Sequence, residues 1–120
     1  MGKHIIGPVG QFSDGTVKIV DLEGKSVGIV CTGGKFYALR NLCPHQGGPA
    51  CGGIFPTLKA AIQANGRIVE YNDYEEPVVS CPWHGWEFDV KTGECLADRT
   101  RRIAVYDATI ENDSVIVTIP

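Results

Sequence analysis

The sequence predicts an all-β protein built from antiparallel sheets. Three observations lead there. Short segments alternate apolar and polar side chains. β-Branched and aromatic residues fill those segments. Small clusters of Gly, Asn, Asp and Ser separate them at regular intervals.

The elements follow in order. "TVKIVDL" (16–22) alternates as a half-buried strand does, and "EGKS" turns the chain. "VGIVCT" (27–32) is a second strand, "GGK" a second turn, and "FYALRN" (36–41) a third strand. Near the end, "RIAVYDATI" (102–110) and "SVIVTI" (114–119) flank the turn "ENDS". One segment carries helix signals. "TLKAAIQAN" (57–65) has Thr57 as an N-cap, Pro56 before it and Gly66 to end it. A strand over 67–71 follows it. No repeat, low-complexity tract or linker interrupts the chain.

Composition bounds the function. A chain of 120 residues is one domain by size and buries enough surface to fold without a metal. It is 43% hydrophobic and 21% charged, as ordinary globular proteins are. Its 11 basic and 14 acidic residues give a net charge of −3. That balance argues against nucleic acid, which needs a basic stripe, and against anionic membranes. No apolar run reaches the length of a membrane span or of a signal-peptide core. Five cysteines is an odd number, unlike a secreted disulfide framework. A reducing, cytoplasmic location is expected, with cysteines as metal ligands or buried small hydrophobes.

Chemistry concentrates in two turns. "CPHQGG" (43–48) holds Cys43 and His45; "CPWHGWEFD" (81–89) holds Cys81 and His84 and both tryptophans of the chain. Each turn offers one sulfur and one nitrogen donor within a tight loop. Proline pushes the preceding cysteine towards extended backbone, and glycines follow both histidines. Two chemistries fit: a tetrahedral zinc site, and a two-iron, two-sulfide cluster with two thiolates and two imidazoles. The common zinc finger presents both cysteines first. Here each loop carries one of each, which suits two metal centres.

These loops, with "DGTVKIVDLEGKSVGIVCTGGKFYALRNLCPH" before them and "EFDVKTGE" after, resemble the Rieske iron–sulfur family in its ferredoxin branch. The resemblance implies stacked antiparallel sheets, three in number, with the loops forming a small subdomain at one tip. It implies one Rieske domain over 1–120, a cluster-binding subdomain over about 42–89, and an insertion over about 54–77 holding the short helix. It assigns Cys43 and Cys81 to an inner iron and His45 and His84 to an outer one. The cofactor is then one [2Fe-2S] cluster of Rieske type per chain. Two ferric ions, two sulfides, two thiolates and two neutral imidazoles sum to a formal charge of about zero, against roughly −2 for four thiolates, so reduction is easier.

The resemblance also sets where the second shell differs. The cysteines that brace the cluster in the respiratory branch are replaced by Gly48 and Trp83, and the hydroxyl-bearing positions by Trp86 and Phe88. Fewer hydrogen bonds to sulfur predict a potential near the low end of the Rieske range, about −150 mV. The potential is expected to fall with pH only above neutrality, as the ligand histidines deprotonate in the oxidised state. Cys31 reads as a packed small hydrophobe, Cys51 and Cys95 as lying outside the site, Trp86 and Phe88 as packing that shields one side, and His4 as solvated. Thirty-five residues separate His45 from Cys81, about twice the span usual in similar ferredoxins. Glu70, Asp73, Glu75 and Glu76 in that span read as a solvated face, or as a docking surface for a basic redox partner.

The function implied is a non-enzymatic, one-electron ferredoxin, accepting electrons from a flavin-dependent reductase and delivering them to a terminal oxygenase or similar oxidoreductase. Two other readings stand beside it: the small Rieske subunit of a larger oxidoreductase such as nitrite reductase, and a zinc-stabilised binding module.

Overall fold

In a computed structural model the alternating segments pair into nine strands, and residues 2–44, 48–81 and 85–120 are described. The strands are β1 (Gly2–Pro8), β2 (Thr16–Leu22), β3 (Lys25–Thr32), β4 (Lys35–Arg40), β5 (Ile54–Ile62), β6 (Ile68–Cys81), β7 (Trp86–Asp89), β8 (Val105–Glu111) and β9 (Ser114–Ile119). A 3-10 turn, Val9–Gln11, follows β1. The chain is all-β, and every named strand pair is antiparallel. Among the described residues no helix is long and apolar enough to cross a membrane.

Two sheets form: a six-stranded one in the order β1-β9-β8-β4-β3-β2, and a three-stranded one in the order β5-β6-β7. The three expected sheets reduce to two because β8 changes partner along its length. Val105 and Tyr106 pair with β4, while Asp107 to Glu111 pair with β9. The two-residue turn Gly33–Gly34 has positive φ at both positions (59° and 76°), the conformation whose twist matches a hairpin. Asn112–Asp113 does the same at β8–β9 (50° and 60°).

Period two divides the interior. Val27, Ile29 and Cys31 of β3, with Phe36 and Ala38 of β4, face a core shared with Val115, Val117 and Ile119. The intervening Val30 and Leu39 face the other way, into a second core with Cys43, Cys51, Val79, Cys81, Phe88, Val90, Cys95 and Ile103. β3 is covered on both faces, which is why "VGIVC" reads as a continuous apolar run. The second core lies between the sheets and beneath the two cysteine loops.

The expected helix is absent. Residues 57–62 belong to β5 and pair with β6 from Thr57↔Asp73 to Ile62↔Ile68. The would-be cap Thr57 donates its hydroxyl across the ladder to the Glu76 carbonyl. Gly66 sits in the hairpin turn with φ of 81° instead of closing a helix. Ala-rich composition gives only a weak helical preference, and strand pairing overrides it. β1 was not among the strands anticipated. Its His4 is half-buried and bonded to Glu23 (Nε2–Oε2 2.6 Å), not solvated.

Candidate metal centre

Both cysteine loops spring from strand ends above the second core. The first leaves β4 through Asn41, whose backbone N–H donates to the Ser26 carbonyl (2.8 Å) and whose side-chain amide donates to the Ser26 hydroxyl (3.1 Å). The Asn41 carbonyl oxygen accepts the Cys51 N–H (2.8 Å), so one side chain spans the loop and ties it to β3. Within it the Cys43 N–H donates to the Gly48 carbonyl (2.7 Å). The second loop runs from Cys81, the last residue of β6, to Trp86, its ladder partner on β7. The Gly85 N–H donates to the Cys81 carbonyl (2.9 Å).

The loops are joined to each other. The Gly52 N–H donates to the Ser80 carbonyl (3.2 Å), and the Ser80 N–H to the Gly53 carbonyl (3.0 Å). Cys43 and Cys81 are 3% and 1% exposed and belong to one buried cluster. Pro44, next to Cys43, and Gly85, four residues after Cys81, are exposed. Each loop therefore passes from a dry sulfur donor to the surface within one residue on the first and four on the second. The dry setting of the two sulfurs suits soft thiolate ligation. His45 and His84, and Trp83 with them, lie outside the described residues. Among the described residues no group of three or more metal-binding side chains assembles.

Cys51 and Cys95 also lie in this buried cluster. Burial pushes the Cys51 thiol up to about 12, partly offset by a hydrogen bond from the Gly28 backbone. It is thus a neutral thiol at pH 7 and a poor ligand by itself. Sequence reading did not anticipate why it fits. A Cβ on Gly28 would lie 2.7 Å from the Cys51 sulfur, so only glycine leaves it room. Cys31 lies in the other core, as its strand position suggested.

Phe88 is fully buried and Trp86 packs against the same cluster, their rings 6.5 Å apart, as the sequence led us to expect. Arg101 adds a contact not foreseen. Its guanidinium lies 5.4 Å from the centre of the Trp86 ring, a cation–π distance. The segment carrying it is fixed by Leu96 N–H to the Glu87 carbonyl (2.9 Å) and Cys95 N–H to the Arg101 carbonyl (2.9 Å). The segment "LADRTRR" (96–102) thus packs beside the second loop.

Comparison with known proteins agrees with this architecture. Residues 2–107 match the family described as Rieske [2Fe-2S] domain. The ferredoxin component of the naphthalene 1,2-dioxygenase system of Pseudomonas putida is 32% identical over 88% of this chain and 85% of its own. Human apoptosis-inducing factor 3 is 31% identical over 72% of this chain, and the match spans about a tenth (11%) of that longer protein. Among solved structures, the ferredoxin in a complex of reduced oxygenase and oxidised ferredoxin of carbazole 1,9a-dioxygenase superposes with a TM-score of 0.71, at 20% identity over 96% of this chain and 100% of that one. A Mycobacterium tuberculosis protein described as the small subunit of an NADH-dependent nitrite reductase gives 0.72, at 18% identity over 97% and 93%. At these identities the structural likeness bears on the fold.

Proposed function

The chain belongs to the Rieske [2Fe-2S] domain family, and from that premise we propose that Cys43, His45, Cys81 and His84 hold the cluster. The cofactor is a Rieske-type [2Fe-2S] centre, which when bound supplies one-electron oxidation and reduction. Cys43 and Cys81 ligate the inner iron from within the dry core; His45 and His84 ligate the outer one. The supporting observation is the shared burial of the two loop cysteines in one cluster, with both loops opening to the surface beyond them. Asn41 and the Ser80 pairings keep the loops side by side. Phe88 excludes water from the sulfur side.

The protein works as a ferredoxin, an electron-transfer component and not the catalytic one. Its acceptor is a terminal oxygenase and its donor a flavin-dependent reductase, in the cytoplasm. Residues 1–120 act as one domain, with the cluster-binding part over about 42–89 and the insertion over about 54–77. The nitrite reductase small-subunit reading is supported by the fold likeness alone.

Iron and acid-labile sulfide analysis of the purified protein tests this. Two of each per chain and a red-brown colour are expected; a colourless protein holding zinc would overturn it. Replacing Cys43 or Cys81 by Ser should abolish the visible absorption, whereas Cys51→Ser should retain it. The potential is expected near −150 mV, and a value above about +100 mV would contradict the hydroxyl-poor surroundings.

A further inference from the structure

The distal half of the β5–β6 hairpin is a two-stranded ribbon, and among the described residues nothing packs on either face. Every residue from Ala60 to Asn72 is exposed. Leu58, Ile62 and Ile68 are 63%, 78% and 69% exposed. The ladder places them, with Ala60, on one face. Such a ribbon is marginal in water by itself, and a third strand or a packed layer stabilises it.

Both edges of the ribbon are open among the described residues. β7 meets β6 only at Val78–Cys81, and β5 is an outer strand of its sheet. The two edges differ in charge. The β6 edge carries Glu70 and Asp73, followed by Glu75 and Glu76, so pairing it with its own copy would gather the carboxylates of both copies along one seam. The β5 edge, 57–62, carries one charge, Lys59, and neither proline nor glycine. An outward lysine ordinarily guards an edge. This one is drawn across the ribbon, its Nζ 2.7 Å from both Asp73 and Glu76.

We propose that a second copy of this chain covers the β5 edge, as an antiparallel two-fold pair centred on Ala60. In that register Ala60 faces its own counterpart, Leu58 faces Ile62 of the other copy, and Lys59 faces Ala61. No like charges oppose one another. Moving the two-fold to Lys59 would oppose the two lysines. The result is a four-stranded sheet with one continuous apolar strip formed by Leu58, Ala60, Ile62 and Ile68 of both copies. A ladder this short buries less than a standard interface of roughly 800 Å² per partner, so the dimer is weak and concentration-dependent. The contact lies at the far end of β6 from Cys81, roughly 40 Å of strand away, and leaves the cysteine loops open to redox partners.

Sedimentation velocity on the cluster-loaded full chain, over a dilution series, tests the pairing. A monomer–dimer equilibrium is expected. Ala60→Lys should weaken it about tenfold or more, while visible absorption reports that the fold is intact. Under mild oxidation Ala60→Cys should cross-link into a covalent dimer, and Ala61→Cys should do so far more slowly; the wild-type chain serves as the control. A monomer at all concentrations, including one whose ribbon binds another protein or a vesicle instead, overturns the proposal. So does a dimer that Ala60→Lys leaves intact, or faster cross-linking from position 61.

Discussion

The root and the distal half of the β5–β6 hairpin are made by the same two strands, yet they are held by different forces. At the root, Val79 and Cys81 are buried in one cluster with Phe88 and Val90, and β7 adds a third strand. Beyond the bulge between Pro56 and Thr57 the ladder continues, but burial stops. Three residues of β6, 74–76, have no partner on β5 there. The Lys59 pairs with Asp73 and Glu76, and the Thr57 bond to Glu76, close that bulge. The comparison teaches that backbone pairing alone sets the ribbon's shape, whereas apolar burial sets the rigidity of the part that carries Cys81.

Substitutions should separate the two halves sharply. Phe88→Ala removes a fully buried ring beside both cysteines. It should cost about 3–5 kcal/mol in denaturant unfolding and release the cluster. A loss under about 1 kcal/mol would mean that the root is not the rigid part. Gly28→Ala comes next, because the added methyl meets Cys51 from the opposite wall of the same core. About 1–3 kcal/mol should be lost, and Cys51→Gly in the same chain should recover most of it. Ile62→Ser, on the distal half, should change monomer stability by no more than about 0.5 kcal/mol. A larger loss in dilute protein would show that the ribbon supports the body after all.

The smallest effect concerns pH. His4 holds the Glu23 carboxyl below its ordinary value of 4.5, chiefly through their hydrogen bond. A depressed carboxylate contributes stability above its unfolded value and loses it as pH falls through the folded one. The link from β1 to the β2–β3 turn should therefore loosen only in acid, below about pH 4.5. The protection factor of the Ile5 amide, measured against intrinsic exchange at each pH, should fall from pH 6 to pH 3.5 in the wild type and not in Glu23→Gln. An equal fall in both would remove the pair from the account.

Most of the sheet scaffold was legible because its strands alternate cleanly. Thr16–Leu22 and Ser114–Ile119 have the bounds their patterns suggested. The hairpin was not. Its residues 57–65 carry local helix signals, and the strand β6 that overrides them is only weakly patterned, with Asn72, Asp73, Glu75 and Glu76 in its middle. The acidic run read as a solvated face or, alternatively, a docking surface; the ion pairs that two of its members, Asp73 and Glu76, make with Lys59 were not legible. At the candidate site, Cys43 and Cys81 were legible from the paired loop motif. Asn41, Gly28 and Arg101 were not, since each acts through a contact between segments distant in sequence. His45 and His84, outside the described residues, rest on the motif.

Nitrogen electron–nuclear double resonance on the reduced protein, with histidine labelled by nitrogen-15, tests the central claim most directly. Two histidine nitrogens coupled to a two-iron spin system are predicted, with His84→Cys removing one of them. A spectrum without nitrogen coupling, or a protein with one metal ion and no inorganic sulfide, would contradict the account.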